Sequence, residues 1–113
     1  NGHATQYKAK PLHVKKGERI RVWVMAAGPN HGTSFHVVGS QFDTVYKEGG
    51  YLMRRGADAF GSRDGHSQAL DLAPAQGGFV EMQFLESGTY VFVNHSFSEM
   101  ERGAAGKIVV TDR

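Results

Sequence analysis

The feature that most constrains this chain is a hydrophobic period of two. Ile20, Val22 and Val24 alternate with Arg19, Arg21 and Trp23 ahead of a Gly28-Pro29-Asn30 turn. Phe35 to Val38 form a short apolar run containing a histidine, and Phe42 to Lys47 form another, closed by Gly49-Gly50. Leu70 and Leu72 flank Asp71 before Pro74, and Val80, Met82 and Phe84 alternate with Glu81 and Gln83 after Gly77-Gly78. Tyr90, Phe92 and Asn94 share one face, Val91, Val93 and His95 share the other, and Ile108 to Val110 close the series. Strand side chains point alternately to opposite faces, so each run can bury only one side, and it needs a second layer to bury it against. Short strands separated by Gly, Pro and Asn turns predict an all-β sandwich or small barrel. The 15 glycines against 3 prolines supply those turns, and 113 residues with 40% hydrophobic content suit one domain, 1–113, with one small core.

Two stretches break the rhythm. From Tyr51 to His66 the Arg54-Arg55-Gly56, Gly61-Ser62 and Asp64-Gly65 elements read as one long surface loop, a length usually tied to function or mobility. Ser96 to Gly103 offer an N-cap serine, acidic residues in the first turn and a terminal glycine, which predicts one short helix directly after His95.

Several classes of chemistry are excluded by composition. The chain has no cysteine, so it cannot form disulfides, thiolate nucleophiles, iron–sulfur clusters, cysteine zinc sites or a blue-copper centre of its own. Its net charge is only +2, and the basic residues are spread from Lys8 to Arg113 with small clusters at Lys15-Lys16 and Arg54-Arg55. A nucleic-acid partner is not expected from that pattern. No apolar run approaches the ~20 residues of a membrane span. The chain opens Asn-Gly-His without a signal-peptide apolar region, which suggests a piece of something longer.

Six histidines are the main candidates for metal or acid–base chemistry. His3, His13, His31 and His66 read as solvated or locally bonded residues. His36 and His95 both lie on strand-like segments, without a local ligand spacing such as HxH or HExxH. For these two, a satisfied core or interface histidine and a functional ligand both stay open. Gly77-Gly78 opens a strand and not a helix, so it is no phosphate cradle. Glu81, Glu99 and Glu101 show no catalytic pairing and read as solvated.

Two histidine-centred motifs carry a resemblance that covers nearly the whole chain outside the Tyr51 to His66 loop. The first runs from Gly28-Pro29-Asn30 through Ser34-Phe35-His36-Val37-Val38-Gly39 to Phe42-Asp43-Thr44-Val45-Tyr46 and Glu48-Gly49. The second takes in Gln68-Ala69-Leu70, Pro74, Gly77-Gly78, Gly88-Thr89-Tyr90, Val93-Asn94-His95 and Glu101-Arg102-Gly103-Ala104. The Asn1-Gly2 opening and the Lys16-Gly17-Glu18-Arg19-Ile20 strand start agree with both. In this order they resemble the second, C-terminal cupredoxin domain of copper-containing nitrite reductases.

The resemblance implies a Greek-key β-sandwich of the cupredoxin type. It implies a homotrimer of two-domain subunits, in which a first cupredoxin domain holds the type 1 copper and two histidines of the type 2 copper. The second domain of a neighbouring subunit adds the third type 2 ligand, which by motif position is His95. His36 then matches the histidine that relays a proton to nitrite, Val38 the apolar residue that shapes the pocket, and Gln68 a residue that orients the relay. Reducing nitrite to nitric oxide takes one electron and two protons, a task that suits an imidazole. In an electron-transfer cupredoxin the copper thiolate would fall where this chain has Asn94, so the domain is expected to hold no type 1 copper and to be silent alone. The resemblance further implies export to the periplasm or the exterior. Two alternatives are a copper-free cupredoxin-like assembly or interaction module, and a domain of a two-domain laccase-like multicopper oxidase; the HxH pairs of the latter are missing here.

Overall fold

A computed structural model describes residues 2–112. Asn1, part of the opening motif, and Arg113 lie outside the described residues. The elements are α1 (Gln6–Ala9), β1 (Leu12–Lys15), β2 (Arg19–Met25), β3 (Thr33–Val37), β4 (Thr44–Lys47), β5 (Gly50–Met53), β6 (Ala69–Leu72), β7 (Gly77–Gln83), β8 (Gly88–Asn94), α2 (Phe97–Glu101) and β9 (Ala105–Thr111). They form a five-stranded sheet, β1-β9-β8-β3-β6, packed on a four-stranded sheet, β2-β7-β4-β5. The chain passes from one sheet to the other between β1 and β2, β2 and β3, β3 and β4, β5 and β6, β6 and β7, and β7 and β8. Such crossings make a Greek-key sandwich rather than a meander.

The period-two reading is realised in the core. Val37, Phe42, Leu70, Val80, Met82, Phe84 and Ile108 are fully buried between the sheets, with Ile20, Val22 and Val24 packed against them. Burying one such side chain contributes about 1.5–3 kcal/mol, so this layer supplies the main driving force for folding. Gly78 is needed where β7 crosses β4, because a side chain there would run into the Tyr46 carbonyl oxygen.

The short helix expected after His95 is present as α2, and among the described residues Gln6–Ala9 add a second, α1. Two expectations need correction. The long loop begins later than Tyr51, because Gly50–Met53 pair with β4 as a hairpin strand. The alternation Gly-Tyr-Leu-Met is too short to announce itself, and the partner strand supplies the order. Ser96 does stand at the start of α2, but its side chain makes no capping bond. Strand β1, which pairs in parallel with β9, has no sequence signal of its own and takes its register from that partner.

The outward face of the four-stranded sheet divides into an aromatic half and an ionic half. Phe79 is buried there beneath Trp23, Tyr46 and Tyr51, with the Arg21 guanidinium 4.0 Å from its ring centre. In the ionic half Arg19 forks onto both Asp43 oxygens and also donates to Thr44 Oγ1 and Glu81 Oε1, each at 3.0 Å. Arg21 closes the group on Glu81 Oε2. Glu81 is therefore no solvated carboxylate, because its side chain is only 14% exposed and holds two arginines. Among the described residues no helix is long and apolar enough to cross a membrane.

Candidate functional site

Pairing of β3 with β8 brings His36, on β3, and His95, the residue that follows β8, together. Their antiparallel register sets His36 opposite Val93 and Phe35 opposite Asn94, which makes His95 the diagonal neighbour of His36. Phe35 and Val37 point into the core, so His36 and His95 share the outer face of the five-stranded sheet. Diagonal pairs lie within reach of ring side chains. The two imidazole centres are 5.8 Å apart and tilted by 56°.

Each ring is held differently. His36 Nδ1 lies 2.6 Å from the backbone carbonyl oxygen of Gln68. A carbonyl only accepts, so Nδ1 must carry the hydrogen and donate, which leaves Nε2 as the nitrogen whose proton can come and go. His95 stacks on Phe97 with ring centres 4.4 Å apart and an interplanar angle of 22°. Its backbone N–H donates to the Ser34 carbonyl at 2.8 Å, which ties the residue after β8 to β3. Among the described residues the His95 ring makes no hydrogen bond, so both nitrogens stay available to a ligand-seeking group.

The other sequence candidates fall around this pair. Val38 follows β3 on the same face, 52% exposed, with its N–H donating to the Val91 carbonyl at 2.8 Å. Gln68 meets His36 through its main-chain carbonyl. Exposed Val38, Val91 and Phe97 give the two histidines an apolar surround. A solvent-open cavity of about 660 Å³ adjoins the site, lined by His36, Gln41, His66, Gln68 and Tyr90 among others. His66, which ends the long loop, thus shares a cavity with His36, although its sequence context gives no hint of that.

Glu99 on α2 also departs from the solvated reading. It accepts a 3.0 Å contact from His31 Nδ1 and has Arg102 at 3.7 Å, and the bond to His31 holds its carboxyl below the usual range. This contact joins the β2–β3 loop to the helix that follows His95. Asn94 was singled out in the sequence only for what it is not. Its side-chain oxygen accepts the N–H groups of Ser34 at 3.1 Å and Ser96 at 3.0 Å. An asparagine followed two residues on by the start of a helix is the available signal for such a turn.

Imidazole suits copper well, and among the described residues His36 and His95 are the pair brought together on this face. Among the described residues no cluster of three or more His, Cys, Asp or Glu side chains could hold a metal ion. Two imidazoles do not by themselves complete a metal site, so a copper held here would need further ligands.

Comparison with known proteins agrees with the fold and the motifs. No protein-family model matches the chain. The copper-containing nitrite reductase of Neisseria gonorrhoeae is 35% identical over 97% of this chain, which corresponds to 26% of that protein. The chain thus spans about a quarter of the length of the curated relatives it matches. Among solved structures, a copper-containing nitrite reductase from Thermus scotoductus superposes on 98% of this chain and 24% of its own length, with a TM-score of 0.81 at 24% identity. A multicopper oxidase covers 98% of this chain and 36% of its own, with a TM-score of 0.79 at 22% identity. The chain is a cupredoxin domain that resembles copper-containing nitrite reductases and, in fold, multicopper oxidases.

Proposed function

We propose that this chain is the C-terminal cupredoxin domain of a nitric-oxide-forming copper nitrite reductase, and that it acts in a homotrimer together with a first cupredoxin domain. The observation that carries the reading is the juxtaposition of His36 and His95, each in its own motif, on one outward sheet face. Their apolar surround supports a face that is covered by a neighbouring chain. In this reading His95 is one of the ligands of a type 2 copper shared between subunits.

The reaction converts nitrite, one electron and two protons to nitric oxide and water. A bound copper would supply the electron and a Lewis-acid position for the substrate oxygen or nitrogen. His36 keeps its Nδ1 hydrogen on the Gln68 carbonyl, so a proton taken up at Nε2 can be handed to the substrate without turning the ring. Val38 presents branched apolar bulk beside it and restricts the space open to a small anion. Gln68 acts on His36 through its carbonyl, and so orients the relay by backbone geometry. Export to the periplasm or the exterior goes with this assignment.

In the assembled protein His95→Ala should abolish the type 2 electron paramagnetic resonance signal and nitrite reduction together. Full copper and full activity in that variant would overturn the ligand assignment. The isolated chain should turn no blue with copper and reduce no nitrite. If the assembled protein takes up no specific copper at all, the copper-free assembly module is the right reading.

A further inference from the structure

We propose that Asn94 is the positioning residue that fixes His95, a role that rests on the reading of His95 as a metal ligand. One Oδ1 atom accepts two backbone N–H groups, from Ser34 on β3 and from Ser96 at the start of α2. Ser34 in turn accepts the His95 N–H through its own carbonyl at 2.8 Å. Asn94, His95, Ser96 and Ser34 therefore form a closed bracket in which the histidine main chain is bonded on both sides.

The bracket matters because, beside it, the side-chain bonds of the described residues tie α2 to the rest of the fold only through the exposed His31–Glu99 contact. Helix α2 has only five residues, none buried, and no side-chain cap. The Asn94 N–H pairs with the Ala104 carbonyl at 3.0 Å, so the residue itself is anchored in the sheet. From that anchor its amide sets where Ser96 begins the helix, and hence where Phe97 lies against the His95 ring. A ring without a hydrogen bond of its own gets its plane from this stack. Ligands oriented by neighbours that do not touch the metal bind at a more defined geometry. The position at which a copper-binding relative would place a thiolate thus carries an acceptor that organises a different ligand.

The test is NMR of the 113-residue chain carrying Asn94→Leu or Asn94→Asp. Leucine keeps the branched shape and removes the acceptor, whereas aspartate keeps an oxygen at the same place. The readouts are the nuclear Overhauser contact between the His95 and Phe97 rings and the ring-current shift of His95. Methyl signals of Val37, Leu70 and Ile108 report whether the core is intact. The leucine variant should lose the ring contact with core signals unchanged, and the aspartate variant should retain it. Survival of the contact in a folded leucine variant, or its loss in both variants alike, overturns the proposal. If the leucine variant does not fold, amide exchange in the unsubstituted chain decides. Ser34 and Ser96 should each exchange at least about fivefold slower than an unbonded amide, and free exchange at either overturns the bracket. No copper enters this experiment, so its failure leaves the His95→Ala result standing, and the reverse also holds.

Discussion

The ionic half of the four-stranded sheet and the histidine face of the five-stranded sheet treat polar groups in opposite ways. On the first, Arg19, Arg21, Asp43, Thr44 and Glu81 consume one another's hydrogen-bonding capacity at the molecular surface, and only Arg19 Nε is left buried without a partner among the described residues. On the second, His36 spends one nitrogen on a carbonyl and His95 spends none, although both lie on a strand-ordered frame. A closed network contributes to stability and has nothing left to offer a ligand. A frame bonded through its main chain, with side chains left unspent, can hold still and still bind.

The sharpest way to break this contrast is to truncate one member of each region and compare unfolding in urea. Arg19→Met leaves two carboxylates, Asp43 and Glu81, that are 25% and 14% exposed and no longer have their shared partner. The expected loss is about 2 kcal/mol, below the range for a fully buried pair because water still reaches the group. His95→Ala, at an exposed side chain, should change stability by no more than about 0.5 kcal/mol. Equal losses in the two variants would erase the distinction.

A smaller effect follows from pH. The Arg19 bond is the main reason that the Asp43 carboxyl sits below its ordinary value of 3.8, against a partial offset from burial. For Glu81 burial acts upward, but the Arg21 and Arg19 bonds outweigh it and its carboxyl is also lowered. A carboxyl lowered on folding adds stability that is fully present above its unfolded value and is lost as pH falls through the folded one. Asp43→Asn should therefore be less stable than the unsubstituted chain at neutral pH, with the gap closing as pH drops below 3.8. A gap that stays constant down to strong acid would show that the charge of Asp43 is not what matters.

The smallest expected change lies next to the histidine face. His31→Ala should let the Glu99 carboxyl rise back toward its ordinary value, read by carboxyl NMR, because the His31 bond is the main cause of its lowering. His31 is 66% exposed and Glu99 keeps Arg102 nearby, so thermal unfolding should hardly move. A large stability loss would mean that the α2 corner resembles the ionic half more than its exposure suggests.

The two regions also differ in how legible they were. Alternation placed β2, β6, β7 and β8, and short apolar runs placed β3, β4 and β9, because both signals are local to the chain. The ionic network went unseen: Arg19, Asp43 and Glu81 look like ordinary solvent-facing charges until β2, β7 and β4 align them. His36 and His95 could be picked out only through the motifs around them. The role of the Gln68 main chain was hidden because any residue type has a carbonyl to offer.

The sequence by itself determined a mostly β chain with one core, no thiol chemistry, and a histidine on β3; it also read His95 as a strand residue, whereas β8 ends at Asn94 and His95 lies in the bend before α2. Side-chain alternation and composition are properties of neighbours along the chain, and they survive without coordinates. The tertiary structure alone decided that His36 and His95 are neighbours, that the Asn94 side chain bonds across the turn from β8 into α2, and that α1 and β1 exist where they do. These depend on which strand pairs with which, and in what register. That choice is made by burying a whole layer at once, so no short window of residues contains it.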